Sequence, residues 1–284
     1  MPVNISRKLF LSFWLFKMRQ ERFDNEIFLR KNENNNGEDR HVEVVLVDWA
    51  GYSMKRTKQL GNYVIGCGLK PLVEHMALVQ AGLSFDVTLI INEANESQRK
   101  SIERWRSNYP FIKRTIFRGN QGMDLGAYNE GYQFLKNAGY CGDILFINSS
   151  SRGPLEKYWL LRYWRLFRSK PKIGLCGISM NSHTTHLKVK TFRPHIQSFF
   201  VYSNMEVLRE VFPQHLPGAF FDPSDKLGLI SEGEIRLSQE ILAAGFGICS
   251  NFSKNFVYYQ GRKWQPPLGE LRLHEPYRMI ANQI

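Results

Sequence analysis

From residue 42 onward, short apolar runs alternate with longer stretches of mixed apolar and polar residues. Val42–Val47, Phe85–Ile91, Lys113–Phe117, Ile144–Ile147, Ile173–Ile178 and His195–Tyr202 have the length and β-branched or aromatic content of strands. Helical spacing lies within Val64–Gly82, and at Glu96–Asn108, Ala127–Asn137, Pro154–Arg168, Met205–Phe212 and Glu232–Ala244. Pro154 suits a first helical position, where its missing N–H costs nothing, and Gly245 suits a helix stop. Strand-helix alternation with short central strands predicts an α/β fold: a mainly parallel sheet flanked by helices on both faces. No solenoid-type repeat is present, and no element is predicted for the aromatic, basic tail from Asn251.

Residues 32–40 are polar and turn-rich, so they read as a linker. The expected organisation is an N-terminal helical segment with its linker, residues 1–40, and one domain over residues 41–284. Within the first segment, Leu9–Phe16 is apolar, with Arg7 and Lys8 before it and Lys17 and Arg19 after it. This run is far short of the ~20 residues that span a bilayer. No small-residue cleavage site follows. Two readings stay open: a helix packed on the domain, or an interfacial anchor with basic flanks.

Composition narrows the class. With 43% hydrophobic and 13% aromatic residues in 284, the chain can bury a sizeable core, which excludes wholesale disorder. A net charge of +12 suits an anionic partner without choosing among nucleotide, nucleic acid and acidic membrane. Cys67, Cys141, Cys176 and Cys249 are far apart and form no C-x-x-C, against a disulfide scaffold or zinc ribbon and in favour of a reducing cytosol. No RNA-binding or zinc-finger signature accompanies the charge, so no nucleic-acid partner is expected.

Candidate chemistry concentrates between Asn120 and Pro154. Asn120-Gln-Gly122-Met-Asp124-Leu-Gly126 is a glycine-spaced polar loop entering a helix, and Asn148-Ser149-Ser150-Ser151-Arg152 tips a buried strand. The glycine spacing fits neither a dinucleotide fingerprint nor a P-loop. Polar groups at the carboxyl ends of strands are where open α/β sheets bind ligands. Asp48 and Trp49 end the first strand, and Asn92 and Glu93 end the second; a turn or core role is the alternative for each. Asp124 also reads as a helix cap, the serines after Asn148 as a cap for the Pro154 helix, and Ser231-Glu232-Gly233-Glu234 as a capping box. His183 and His186 lie three apart, with His195 nearby, but lack a fixed third metal ligand. Arg162, Arg165 and Arg168 share a helix face with Trp159, Tyr163 and Trp164 behind it, either a solvated face over an aromatic core or a contact with anionic membrane.

The element order, with the motifs Gly122-x-Asp124-x-Gly126-Ala127, Phe146-Ile-Asn-Ser-Ser150, His195-Ile-Gln197-Ser198-Phe-Phe200 and Glu234-Ile-Arg-Leu-Ser238-Gln239, resembles GT-A nucleotide-sugar glycosyltransferases. It is most similar to those of the rhamnan-synthesis type. The resemblance covers roughly residues 42–250 and implies a GT-A-like (Rossmann-like) fold. It implies sugar transfer from a nucleotide-sugar donor to a polysaccharide, lipopolysaccharide or lipid-linked oligosaccharide, in the cytoplasm or peripherally at the inner membrane face. Donor-binding positions would be Asp48, Asn92, Asn120, Gly122, Gly126, Asn148, Ser149, Ser150, Arg152 and His195. Catalytic positions would be Asp124, orienting the donor sugar, and Glu232 or Glu234 as base if the reaction inverts.

One position departs from that pattern. The family's Asp-x-Asp, which holds Mn²⁺ or Mg²⁺, is replaced here by Asn148-Ser149-Ser150. Hard divalent cations prefer carboxylates, so cation dependence is in doubt. Arg152, with help from Lys157 or Lys263, would then neutralise the diphosphate. The alternative function is a non-catalytic nucleotide-sugar or polysaccharide-binding protein on the same scaffold.

Overall fold

The structure is a computed structural model, described here for residues 40–60, 63–186, 189–251 and 256–265. The chain divides into two compact units, Met1–Arg40 and His41–Ile284. Except for Arg40, the described residues belong to the second. The expected N-terminal helix and its possible anchor role fall outside them.

Strand β1 (His41–Trp49) is buried through Val42–Asp48, as an apolar run covered on both faces requires. It pairs in parallel with β4 (Ser84–Asn92) and β6 (Asp143–Asn148), and β4 pairs in parallel with β5 (Ile112–Arg118). Beyond β6 come β10 (Phe200–Asn204), β7 (Ile173–Gly177), β11 (Gly247–Ser250) and β12 (Val257–Tyr258), giving the order β12-β11-β7-β10-β6-β1-β4-β5. β10 and β12 run antiparallel to their neighbours, while β7 and β11 are parallel. The tail from Asn251 therefore contributes an edge strand where none was expected.

Helices cover both faces. α3 (Met123–Asn137) lays Gly131 against Val45, where an added Cβ would lie 2.6 Å from a Val45 methyl. α4 (Trp159–Phe167) places Trp159 edge-on to Phe85, the register partner of Val42. Residues 42 and 45 point to opposite faces, so α3 and α4 do too. On α4, Trp159 and Tyr163 are buried, Arg162 pairs with Glu156, and Arg168 pairs with Asp143 at 2.8 Å, so part of the basic face is engaged within the protein. α1 (Leu69–Leu78), α2 (Glu96–Arg106) and α5 (Met205–Val211) complete the alternation. At the start of α2, the Asn95 side chain accepts from Gln98 N and the Gln98 side chain accepts from Asn95 N, both at 2.9 Å.

Three expected elements differ. Helix α4 starts at Trp159, not Pro154, because Tyr158 N bonds to Gln80 O at 2.6 Å and Tyr158 is left-handed at φ 60°, which draws the chain toward the end of α1 first. The expected strand His195–Tyr202 is two strands separated by a turn. His195 and Ile196 end β9 (Val189–Ile196), which forms a hairpin with β8 (Met180–His186), and the chain re-enters the sheet at Phe200. The backbone N–H groups of Ile196 and Ser198 go to the side chains of Ser238 and Glu234, breaking the ladder. The expected helix Glu232–Ala244 begins earlier: α6 (Lys226–Leu229) runs through a π-helical turn at Ile230–Ile235 into α7 (Arg236–Ala243), and Gly245 at φ 86° follows. A second hairpin, β2 (Arg56–Leu60) with β3 (Tyr63–Cys67), was not predicted.

Candidate functional site

The carboxyl ends of β1, β4 and β6 carry Asp48, Asn92 and Asn148, so one sheet edge collects these polar residues. At the β6 tip, Ser149 Oγ donates to Asp48 Oδ1. Arg56, carried in by the β2–β3 hairpin, donates to Asp48 Oδ1 at 3.2 Å and to Ser149 Oγ at 2.7 Å. Its guanidinium also covers the Tyr52 ring at 4.7 Å. Burial raises the Asp48 carboxyl above its usual range, against the opposing pull of Ser149 and Arg56.

Asn148 links this group to the glycine loop. Its Nδ2 donates to Asp124 Oδ2 at 2.6 Å, and its Oδ1 accepts from Ser150 N and Oγ at 3.1 and 2.5 Å. The serines thus bond to Asp48 and Asn148 and do not cap a helix at Pro154. Asp124 lies in the first turn of α3, where a carboxylate suits the helix dipole, but Gly122 holds the cap position. Burial raises the Asp124 carboxyl, the Asn148 bond opposes this, and the nearby charges of Asp48 and Glu234 raise it further.

Asn92 and Asn120 brace the loop from below. Asn92 Nδ2 donates to Asn120 Oδ1 at 3.1 Å and Met123 O at 3.2 Å, while Asn92 Oδ1 accepts from Arg118 at 3.1 Å. Arg118 also donates to Gln121 O at 2.7 Å. Gly122 takes φ 69°, and its N–H bonds to Phe221 O at 2.8 Å. The Cβ directions of Gly122 and Gly126, two of the implied donor-binding positions, face protein backbone: a Cβ would strike Ala219 O at Gly122 and Gln121 O at Gly126. Trp49 Nε1 donates to Glu93 at 2.6 Å, and its ring meets Tyr52 edge-on, so Trp49 is half-exposed at the rim instead of in the core.

The π-helical turn supplies the other side. Gly233 packs against Leu125 so closely that a Cβ would overlap it. Glu234 accepts from Ser198 N at 2.8 Å and Ser198 Oγ at 2.6 Å, with His195 Nε2 at 3.9 Å. His195 is 4% exposed and bonds Arg193 O through Nδ1 at 2.7 Å. Tyr128 OH donates to Ser198 O at 2.9 Å, and burial holds its hydroxyl well above the usual range. Glu232 instead faces Arg236 at 3.7 Å and accepts from Ser231 at 3.4 Å. The expected capping box is therefore absent: its serine and glutamate have other partners, and both lie inside the helical run.

Bonded contacts and felt charges thus run from Arg56 through Asp48, Ser149, Asn148, Asp124, Tyr128 and Ser198 to Glu234 and His195. Arg152 is half-buried and makes no side-chain bond or ion pair among the described residues, and Lys157 and Lys263 are exposed. His183 stacks edge-on with Phe192, while the side chain of His186 lies outside the described residues. Sequence reading missed Arg56, Arg118, Tyr128 and Ser198. Only Ser198, inside the quoted His195–Phe200 motif, had a signal.

The donor set at this edge suits a guanidinium better than a metal ion. Asn148, Ser149 and Ser150 offer no carboxylate, Asp48 already faces Arg56, and Asp124 Oδ2 faces the Asn148 amide. Among the described residues, the group of side chains able to hold a divalent ion is His41, Glu43 and Asp86, at the other end of the sheet.

The layout is that of a nucleotide-sugar glycosyltransferase-like protein of GT-A type. The profile of rhamnan synthesis protein F matches residues 87–256, more than half of the chain, and the chain belongs to that family. No curated protein matches it in sequence. Similar solved structures include a mannosyltransferase from Pyrobaculum calidifontis in complex with GDP-mannose and Mn²⁺, at 9% identity and TM-score 0.46, covering 87% of this chain and 64% of that one. A 4-diphosphocytidyl-2C-methyl-D-erythritol synthase is 9% identical at TM-score 0.42, covering 79% and 95%. A cytidylyltransferase from Leptospira borgpetersenii is 13% identical at TM-score 0.40, covering 79% and 78%. The chain thus spans just under two thirds of the mannosyltransferase, and none of these likenesses is near enough to carry over an activity. No helix among the described residues is long and apolar enough to cross a membrane.

Proposed function

We propose that residues 41–284 form one glycosyltransferase domain that moves a hexosyl group from a nucleotide-sugar to a polysaccharide, lipopolysaccharide or lipid-linked oligosaccharide. The observation that carries this reading is the gathering of two hydrogen-bonded groups at one sheet edge, Arg56–Asp48–Ser149 with Asn148–Asp124, and Tyr128–Ser198–Glu234, with Asp124 and Tyr128 four residues apart on α3. It puts a cation at one end and a half-buried carboxylate at the other, with Asp124 between.

In this reading the diphosphate lies toward Arg56 and Ser149, with Trp49 and Asn92 at the nucleotide side. Arg56 exchanges Asp48 for phosphate oxygens and offsets the charge that develops on the leaving diphosphate. Arg152 stands ready beside the β6 tip as a second cation. Asp124, fixed by Asn148, accepts hydrogen bonds from the donor sugar. Glu234 takes the proton of the acceptor hydroxyl as the new glycosidic bond forms, with inversion. Ser198 orients Glu234, and His195 stands behind it. Glu232, on Arg236 at the surface, has no part. A lipid-linked acceptor would bring the protein peripherally to the inner membrane face, from the cytoplasm.

The absence of carboxylates at Asn148-Ser149-Ser150 also favours a second reading, a nucleotide-sugar or glycan-binding protein without turnover. Thermal unfolding in the presence of nucleotide diphosphates and nucleotide sugars, with Mn²⁺ or EDTA, followed by a transfer assay, separates the two. Ligand at 100 times its Kd adds ~2.7 kcal/mol of stability. A selective shift that persists in EDTA, with nucleotide released on adding acceptor, supports the transferase. A shift without release supports the binding protein, and no shift defeats both.

A further inference from the structure

A second cluster of ligand-type side chains stands at the amino edge of the sheet. Residues two apart on a strand share a face, so His41 and Glu43 do. Asp86 on β4 is the register partner of Glu43 and faces the same way. His41 Nε2 lies 3.8 Å from Glu43 Oε1 and 3.8 Å from Asp86 Oδ2, and one ligand atom from each residue falls within 4.8 Å of the others. The strand length between His41 and Asp48 puts this cluster roughly 23 Å from the donor edge.

The cluster is incomplete as an ion-pair network. Glu43 is 8% exposed, and its Oε2 is buried with no hydrogen-bond partner. A buried carboxylate oxygen without a donor is unfavourable unless a positive group meets it. Two cations stand nearby, and neither closes on that oxygen. Lys113 reaches Asp86 Oδ1 at 3.5 Å and is 48% exposed, free to turn into solvent. Arg114 lies over the Phe134 ring at 4.3 Å.

We propose that His41, Glu43 and Asp86 form a divalent transition-metal site of the zinc class, which pins β1 to β4 at their starts. One imidazole and two carboxylates make a donor set that zinc uses, and magnesium would not favour the imidazole. Small side-chain rotations bring the 3.8 Å separations to the ~3.4 Å expected between tetrahedral ligands at about 2.1 Å from the ion. His41 Nδ1 sits 3.3 Å from Ser84 Oγ, a partner able to fix the ring. The His41 and Asp86 side chains are 30% and 29% exposed, which leaves an entry path.

The test uses the full chain stripped with EDTA and no nucleotide. Calorimetric titration with Zn²⁺, thermal unfolding, and the visible spectrum of the Co²⁺ form are measured for wild type, H41A, E43Q, D86N and the donor-edge variant D124N. We expect one zinc equivalent, a raised Tm and intense cobalt d–d bands in wild type and D124N. All three signals should be lost, or affinity reduced at least tenfold, in H41A and D86N. His41 and Asp86 are partly exposed, so the metal-free variants should unfold near the metal-free wild type, and E43Q is a second check should either fail to fold. Absence of zinc binding by wild type, or undiminished binding in all three cluster variants, overturns the proposal.

Discussion

Replacing Asn148 by Asp tests whether the Asn148–Asp124 contact is what replaces a metal here. Asn148 Nδ2 donates to Asp124 Oδ2 at 2.6 Å, so N148D sets two carboxylates face to face. At an effective dielectric of about 20, two unit charges that close repel by about 6 kcal/mol. Taking up one proton near pH 7.5 costs less, about 5 kcal/mol for a carboxyl with an ordinary value near 4, so the pair escapes by protonation. The lost charge-assisted bond alone is worth about 1.5–3 kcal/mol. We therefore expect N148D to lose about 2–5 kcal/mol near pH 7.5 in EDTA. The sign with pH follows from the raised carboxyl: burial already lifts Asp124 above its unfolded value, and a second carboxylate lifts the pair further. The penalty is therefore full above the folded value and disappears as pH falls through it, the reverse of an ordinary salt-bridged aspartate. Urea unfolding followed by tryptophan fluorescence, at about pH 5 and 7.5 with Mn²⁺ or EDTA, reads both effects. N148A should lose only the bond and vary less with pH, and Mn²⁺ should rescue N148D alone. N148D as stable as wild type near pH 7.5 in EDTA, with no gain on acidification, would refute the reasoning.

Glu234→Gln should lower kcat about 10²–10⁴-fold in a nucleotide-release assay, with folding retained because the amide oxygen still accepts from Ser198, while E232Q stays near wild type. Equal losses in both would remove the base assignment. Arg56→Ala should weaken nucleotide diphosphate binding about tenfold or more, the worth of one charge-assisted hydrogen bond to phosphate, in EDTA and Mn²⁺ alike, with partial return in R56K; binding isotherms unchanged by R56A would count against it. Gly126→Ala should destabilise by about 1–3 kcal/mol, since the new methyl meets the Gln121 and Ala219 backbones, and a Tm equal to wild type would show that this loop yields.

The sheet was legible where burial dictates composition. β1, β4 and β6 sit inside the sheet, so their apolar runs stand out, and the polar residues ending them, Asp48, Asn92 and Asn148, gather as expected at one edge. The hairpins were not legible, because each forms a two-stranded sheet of its own apart from the main sheet. β8 reads Met-Asn-Ser-His-Thr-Thr-His, too polar to announce a strand, and Arg56 was missed because β2 was missed. The π-helical turn has no local signature; contact between Gly233 and Leu125, far apart in sequence, accompanies it. It also separates Glu232 from Glu234, which sequence could not do. Tyr128 looks like an ordinary helix residue, and Ser198 like part of a strand, until the fold joins them.

The two hairpins share one arrangement. The chain leaves the sheet after Trp49, makes β2–β3, and comes back at Gly68, whose N–H meets Ser149 O at 2.9 Å. It leaves again after Gly177, makes β8–β9, and re-enters at Phe200, whose strand lies beside β7 and β6. Each excursion starts and ends at the same rim, so each can change length or sequence without shifting a sheet register. Arg56 and His195 reach the site on these two pieces, so its side chains can be altered while the strands of the main sheet stay as they are. Under the proposed function, exchanging β2–β3 would replace Arg56 and so change the cation beside Asp48, and exchanging β8–β9 would replace His195 and so change the surroundings of Glu234.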